Sequence, residues 1–164
     1  MAISVARVSP ANTNFTEVKV NKNKIALLVI LSVFLFSGFI CAQENIDELF
    51  NKGIAFGQEK KYDEAVAVFN KIISLSPKNA EAYCYRGFAY EGKGSIDKAI
   101  EDFSKAIKID PKFSLPYEMR AFVYFADKKD YGKAWEDVHK AESLGGTLSP
   151  QFIEELKRVS GRSS

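Results

Sequence analysis

Residues 80–111 read Ala80-Glu81-Ala82-Tyr83-Cys84-Tyr85-Arg86-Gly87-Phe88-Ala89-Tyr90, then Glu91-Gly92-Lys93-Gly94-Ser95, then Ile96-Asp97-Lys98-Ala99-Ile100-Glu101-Asp102-Phe103-Ser104-Lys105-Ala106-Ile107-Lys108-Ile109-Asp110-Pro111. In the first segment Tyr83, Gly87 and Tyr90 fall at i, i+4 and i+7, one face of an α-helix. In the last, Ala99, Phe103 and Ala106 do the same. Gly92-Lys93-Gly94 interrupts the first helix, because glycine is a poor helix former. Ser95 is the expected N-cap of the second helix. Asp110-Pro111 closes the unit, since the residue before a proline avoids the helical region. The stretch predicts two helices joined by one tight turn.

The flanking sequence repeats the unit. Gly53 and Gly87, Tyr83 and Tyr117, and Pro77 and Pro111 are each 34 residues apart, and Ala65, Ala99 and Ala134 follow at 34 and 35. A fixed period of this size marks a stacked helix–turn–helix array, which a generic helical bundle does not explain. The first unit spans 45–78. Asn45 with Glu48 is a capping-box variant, Leu49, Gly53 and Phe56 form the first helical face, and Lys60-Lys61 marks the turn. Ala65, Phe69 and Ile72 form the second face, and Ser76-Pro77 ends it. The second unit spans 79–112. The third spans 113–146, with Tyr117, Ala121 and Tyr124 on its first helix, a turn at Asp127-Lys128-Lys129-Asp130, and Tyr131, Ala134, Val138 and Ala141 on its second. Gly145-Gly146 stands where a closing proline is expected. Ser149-Pro150 then opens a last helix within 148–160, whose Phe152, Leu156 and Val159 stripe would cover the apolar face of the final unit.

Asn45 to Ala141 resembles three consecutive tetratricopeptide repeats. The family pattern places an aromatic, a glycine or alanine and a tyrosine on the first helix, then alanine, phenylalanine, alanine and proline. Tyr83, Gly87, Tyr90, Ala99, Phe103, Ala106 and Pro111 match it in full. The first repeat departs at Leu49, Phe56 and Ile72, and the third at Val138 and the missing proline. The resemblance implies an all-α fold of stacked helix pairs in a right-handed superhelix. It also implies a concave face, lined by the first helix of each pair, that binds segments of other proteins.

Carried over by position, the groove residues are Asp47, Phe50, Ile54 and Gly57-Gln58 in the first repeat. The second repeat contributes Glu81, Cys84, Phe88 and Glu91, and the third contributes Leu115, Glu118, Phe122 and Phe125. Their apolar members lie off the face that joins the two helices of a pair, so they form a candidate binding surface, unless the C-terminal helix or a second copy folds over it. Co-chaperone members of the family hold an acidic C-terminal carboxylate with basic and asparagine side chains. The corresponding places here are Phe50, Ile54, Tyr85, Leu115 and Met119, so no carboxylate-clamp partner is expected. Arg86 and Arg120 are expected to form ion pairs between repeats.

The N-terminal part is of another kind. Lys19, Lys22 and Lys24 precede a nearly unbroken apolar run, Ile25 to Ile40, and Cys41-Ala42-Gln43-Glu44 follows. Residues 1–42 therefore read as an N-terminal tail and signal peptide, with cleavage expected between Ala42 and Gln43. An uncleaved anchor and a lipidated Cys41 are the alternatives, although Ile40 replaces the small residue that lipidation signals place before the cysteine. The polar stretch from Met1 to Glu17 makes the leader long, and a translation start near Val18 would shorten it. Export to the periplasm or outside the cell follows, with membrane contact only through this segment if it stays uncleaved.

The formal net charge is +2. That surplus comes from the leader, so the repeat region is close to neutral and nucleic-acid binding is not expected. No catalytic, cofactor or metal signature emerges. His139 is the only histidine and reads as a surface residue. After cleavage Cys84 would be the single cysteine, too few ligands for a zinc site. Gly92-Lys93-Gly94-Ser95 lacks the phosphate-loop spacing, and Glu101-Asp102 and Glu136-Asp137 read as solvated helix faces. The expected function is a non-enzymatic adaptor that binds a protein or peptide. The alternative is a structural envelope subunit, its groove permanently filled or its N-terminal helix retained as an anchor.

Overall fold

Each turn expected from the sequence joins a pair of helices. The computed structural model describes residues 46–161 of the chain. The leader, the Ala42–Gln43 cleavage site and the Asn45 cap lie outside the described residues. Among the described residues the regular elements are helices only: α1 (46–58), α2 (Tyr62–Leu75), α3 (Ala80–Gly92), α4 (Ile96–Ile109), α5 (Leu115–Val123) with a π-helical turn Tyr124–Lys128, α6 (Tyr131–Ser143) and α7 (Pro150–Ser160). They pair as α1/α2, α3/α4 and α5/α6, stack in order as a superhelix, and are capped by α7. None of these helices is long and apolar enough to cross a membrane.

Among the described residues, side chains cap three of the helices; Lys61 before α2 and Ser114 before α5 make no capping bond. Asn79 accepts from the Ala82 amide at 2.9 Å, Asp130 from Lys133 at 3.1 Å and Ser149 from Phe152 at 3.2 Å. Each satisfies an amide that has no partner inside its helix. Ser95 occupies the N-cap of α4, but its hydroxyl makes no capping bond.

The extra residue of the third repeat has a definite place. Backbone bonds close the first two turns from Lys61 N–H to the Phe56 carbonyl and from Ser95 N–H to Tyr90, both 2.8 Å. The equivalent third bond runs from Asp130 N–H to Tyr124 at 2.9 Å and encloses one residue more. The wider π-helical turn Tyr124–Lys128 absorbs that residue. One residue of each turn is left-handed: Lys60 (φ 58°), Gly94 (φ 75°) and Lys129 (φ 54°). Only the second repeat uses glycine there, and a side chain in this region costs roughly 1–2 kcal/mol. Lys129→Gly is therefore expected to raise stability by about 0.5–1 kcal/mol, less than the full strain because glycine also loosens the unfolded chain. A thermal melt reads this as a higher Tm.

The core lies between successive layers in three clusters. The first is built on Ala65, Phe69, Ile72, Ala82 and Ala89, and the second on Cys84, Ala99, Phe103, Ala106 and Val123. The third joins Ala121, Ala134, Trp135, Val138 and Leu156, so α7 completes it. Trp135 also donates its indole N–H to Ser160 Oγ at 3.0 Å. The described residues fall within one compact unit, and every one of these core residues lies inside it.

Within each pair a small residue meets a large one. A Cβ on Gly53 would lie 2.7 Å from the Phe69 ring, and one on Gly87 would lie 2.8 Å from Phe103. In the third repeat the glycine position becomes Ala121, and the phenylalanine position becomes Val138, both fully buried. The added methyl is matched by the smaller side chain opposite, as close packing requires.

Two carboxylates depart from the sequence reading. Asp102 and Asp137 are not solvated; they are 4% and 5% exposed. Arg86 donates from Nε and Nη2 to the two Asp102 oxygens at 2.7 and 2.6 Å, and Arg120 engages Asp137 in the same way at 2.8 and 2.7 Å. Both pairs join the two helices of one repeat, which corrects the expectation of ion pairs between repeats. The guanidinium group crosses to the preceding repeat through neutral acceptors, Nη1 to Asn70 Oδ1 at 2.6 Å and to Ser104 Oγ at 2.7 Å. Tyrosines flank each guanidinium: Tyr83 and Tyr90 around Arg86, Tyr117 and Tyr124 around Arg120. Hydrogen bonding to Asp102 raises the Arg86 pKa against the opposing effect of burial. For Arg120 burial is the largest effect and opposes the charge, yet the Asp137 bonds and charge leave its pKa raised. The ion pairs that do cross between repeats come from turn lysines, Lys93 to Asp63 and Lys128 to Asp97. Both are exposed and add little.

Candidate functional site

The first helices α1, α3 and α5 line a run of four hollows that share walls. At one end, a hollow of about 400 Å³ is lined by Asp47, Phe50, Asn51, Ile54, Glu81, Tyr85, Phe113 and Leu115. Ile54 and Tyr85 also border the next, about 450 Å³, which adds Gly57, Gln58, Lys60 and Phe88 over a floor of Ala65 and Phe69. Phe88 then borders a third, about 230 Å³, with Glu91, Met119 and Phe122. Met119 and Phe122 continue into the last, about 180 Å³, with Glu118 and the start of α7. Ile54, Phe88 and Phe122 stand 34 residues apart, so each first helix presents one large apolar side chain at the same register. Phe88 and Phe122 are each 46% exposed, an unusual state for phenylalanine.

The expected groove residues divide by environment. Phe88, Phe122, Asp47 and Glu81 are exposed; Ile54, Glu91, Leu115 and Glu118 are half-buried along the hollows. Cys84 is a correction. It is 2% exposed, packed in the second core cluster, and offers no surface. Burial, with Glu81 and Glu118 nearby, pushes its thiol up to about 12, which keeps it protonated and unreactive. Phe50 lines the first hollow but also packs edge-on against Phe69 and Tyr85, with ring centroids at 5.7 and 5.8 Å. Phe125 lines none of the hollows; it packs against Tyr131 at 6.0 Å and edge-on against Phe152 of α7 at 5.3 Å. The capping helix thus covers Phe125 and reaches the edge of Phe122, whose ring lies 6.1 Å from Phe152.

Tyr85 and Met119, expected at clamp positions but not among the partner-binding residues, also line the hollows. Their signal was present in the register, since Asn51, Tyr85 and Met119 are again 34 apart. The five positions at which a carboxylate clamp would act, Phe50, Ile54, Tyr85, Leu115 and Met119, all border the hollows and none carries a positive charge. The charged lining is mainly acidic: Asp47, Glu81, Glu91 and Glu118, with the ammonium group of Lys60. His139 is exposed on α6, its ring tilted against Trp135 with centroids 5.4 Å apart. Among the described residues no three His, Cys, Asp or Glu side chains converge to hold a metal ion.

Stacked helix pairs that turn their first helices toward a common groove define a helical-repeat solenoid. The tetratricopeptide repeat profile matches residues 80–113, and a second TPR repeat profile matches 53–94. The TPR domain of Sgt2 from Aspergillus fumigatus superposes with a TM-score of 0.65 at 30% identity, covering 71% of this chain and 80% of that one. The TPR2B domain of yeast Sti1 in its complex with pHsp70 gives 0.61 at 27% identity, covering 68% and 91%. MamA from Desulfovibrio magneticus RS-1 gives 0.56 at 29% identity, covering 59% of this chain and 54% of that one. No curated protein matches the chain. The chain belongs to the tetratricopeptide repeat family.

Proposed function

We propose that this chain is an exported, non-enzymatic adaptor that holds a segment of another protein in the groove of α1, α3 and α5. One observation carries the reading: Phe88 and Phe122 stand half-exposed at the same register of adjacent repeats, on the shared walls of the hollows. Apolar side chains held out in a concavity gain stability when a partner covers them. The similar yeast TPR2B domain, in its complex with pHsp70, supports a peptide partner. Export to the periplasm or outside the cell is supported by the leader pattern of Lys19 to Gln43. The uncharged clamp positions argue for a partner other than an acidic C-terminal carboxylate.

Capture of an envelope partner on immobilised residues 43–164 tests this. Phe88→Glu is expected to abolish capture while leaving helicity unchanged. Leu75→Glu, at a residue 53% exposed and outside the hollows, is expected to retain it. Undiminished capture by Phe88→Glu would show that the partner binds elsewhere.

A further inference from the structure

Resting on that groove reading, we infer that the partner segment is apolar and cationic: large aliphatic or aromatic side chains that fill the hollows, flanked by lysine or arginine that meets the groove carboxylates. The apolar requirement comes from the ladder of Ile54, Phe88 and Phe122. The charge requirement comes from Asp47, Glu81, Glu91 and Glu118, which three different helices bring to the same set of hollows. Glu81, Glu91 and Glu118 make no ion pair with the lysines and arginines of the described residues.

The electrostatic surroundings agree. Burial and the charge of Asp127 hold the Glu91 carboxyl above its usual range, which an incoming cation would reverse. Glu81 and Glu118 both act on the buried Cys84 between them, so their charges add across the α3–α5 boundary. An acidic peptide, a nucleic acid or an anionic lipid surface would add like charge to these carboxylates, which is costly. Packed helices lie 8–10 Å apart, so three first helices extend about 20 Å, the length of roughly 14 helical residues.

Two labelled synthetic peptides of roughly that length form the probe. Both carry leucine along one helical face; the remaining positions are lysine in one and glutamate in the other. Binding to residues 43–164 is followed by fluorescence anisotropy. The lysine peptide is expected to bind about tenfold more tightly or better, and to weaken between low and high salt as screened charge pairs do. The combined variant Glu81→Gln, Glu91→Gln, Glu118→Gln keeps the side-chain shapes and is expected to remove most of that preference. Equal binding of the two peptides, or a preference that survives the glutamine variant, overturns the inference. Phe88→Ala with Phe122→Ala separates this result from the groove reading. Loss of both peptides in that variant, without any charge preference in the parent, leaves the groove standing and the cationic partner refuted. Retention of the lysine peptide there refutes both, since binding would then lie outside the hollows. The full-length chain is measured alongside. If it binds the lysine peptide tenfold more weakly, its own Lys19–Ile40 segment occupies the groove, and the inference of a separate partner falls.

Discussion

Phe103→Ala is expected to lower the unfolding free energy by about 3–5 kcal/mol, a large share of the total for a unit of this size. The ring is 1% exposed and sits in the cluster formed by Cys84, Ala99, Ala106 and Val123. It fills the space that Gly87 leaves open. A solenoid contacts only its neighbours, so no distant element can collapse into the cavity. Urea unfolding followed by circular dichroism reads the loss as a fall in the midpoint; a change below about 1 kcal/mol would mean that the layers close over the gap. A second measurement isolates the glycine contact. Gly87→Ala alone overpacks the site by about 1–3 kcal/mol, offset in part by the better helix propensity of alanine. Combined with Phe103→Val it recreates the pair that the third repeat already uses, Ala121 with Val138. The double variant is therefore expected to be more stable than the two single losses predict, and strict additivity would show that the contact does not couple the positions.

The second large effect is expected at Asp137. Asp137→Ala leaves the Arg120 guanidinium with two donors unsatisfied in a site where its side chain is only 19% exposed. Removing one partner of such a pair costs about 2–4 kcal/mol, because the stranded charge has lost its compensation. Replacing both partners, Arg120→Met with Asp137→Leu, is expected to recover most of the loss in the same urea experiment. A cost for Asp137→Ala below about 1 kcal/mol would mean that water solvates the pair as it does an exposed one.

The legibility of this molecule follows the number of neighbours each residue has. Positions that face the partner helix of their own pair were readable, because one helical face meets one other helix. Ala99, Phe103 and Ala106 recur at the turn spacing and are buried as read. Cys84 was not readable. Its helix α3 packs against α2, α4 and α5, so the buried surface extends round the helix and takes in a residue assigned to the groove. Asp102 and Asp137 were misread for a related reason. An acidic residue beside Glu101 or Glu136 resembles a solvated face until an arginine from the other helix of the pair is placed against it. The repetition of Arg86 and Arg120 at 34 residues, and of the two aspartates at 35, was visible, but which carboxylate meets which guanidinium depends on how the helices cross. The first repeat lacks the pair, with Lys52 and Val68 in those places.

The sequence by itself determined the repeat: its period, the glycine–phenylalanine pairs, the prolines between units and the capping stripe, all local patterns governed by helix geometry. The clamp positions without positive charge were equally plain, once the family resemblance supplied them and register located them in this sequence. Only the tertiary structure decided which aromatics stay open. Phe50 is taken up by Phe69 and Tyr85, and Phe125 is covered by α7, while Phe88 and Phe122 remain half-exposed. They stand at three registers of the repeat: Phe50 aligns with Cys84 and Glu118, Phe88 with Phe122, and Phe125, in the π-helical turn, with Glu91. Beyond register, what separates them is how much of each ring a neighbouring helix covers, and that is a property of the stack.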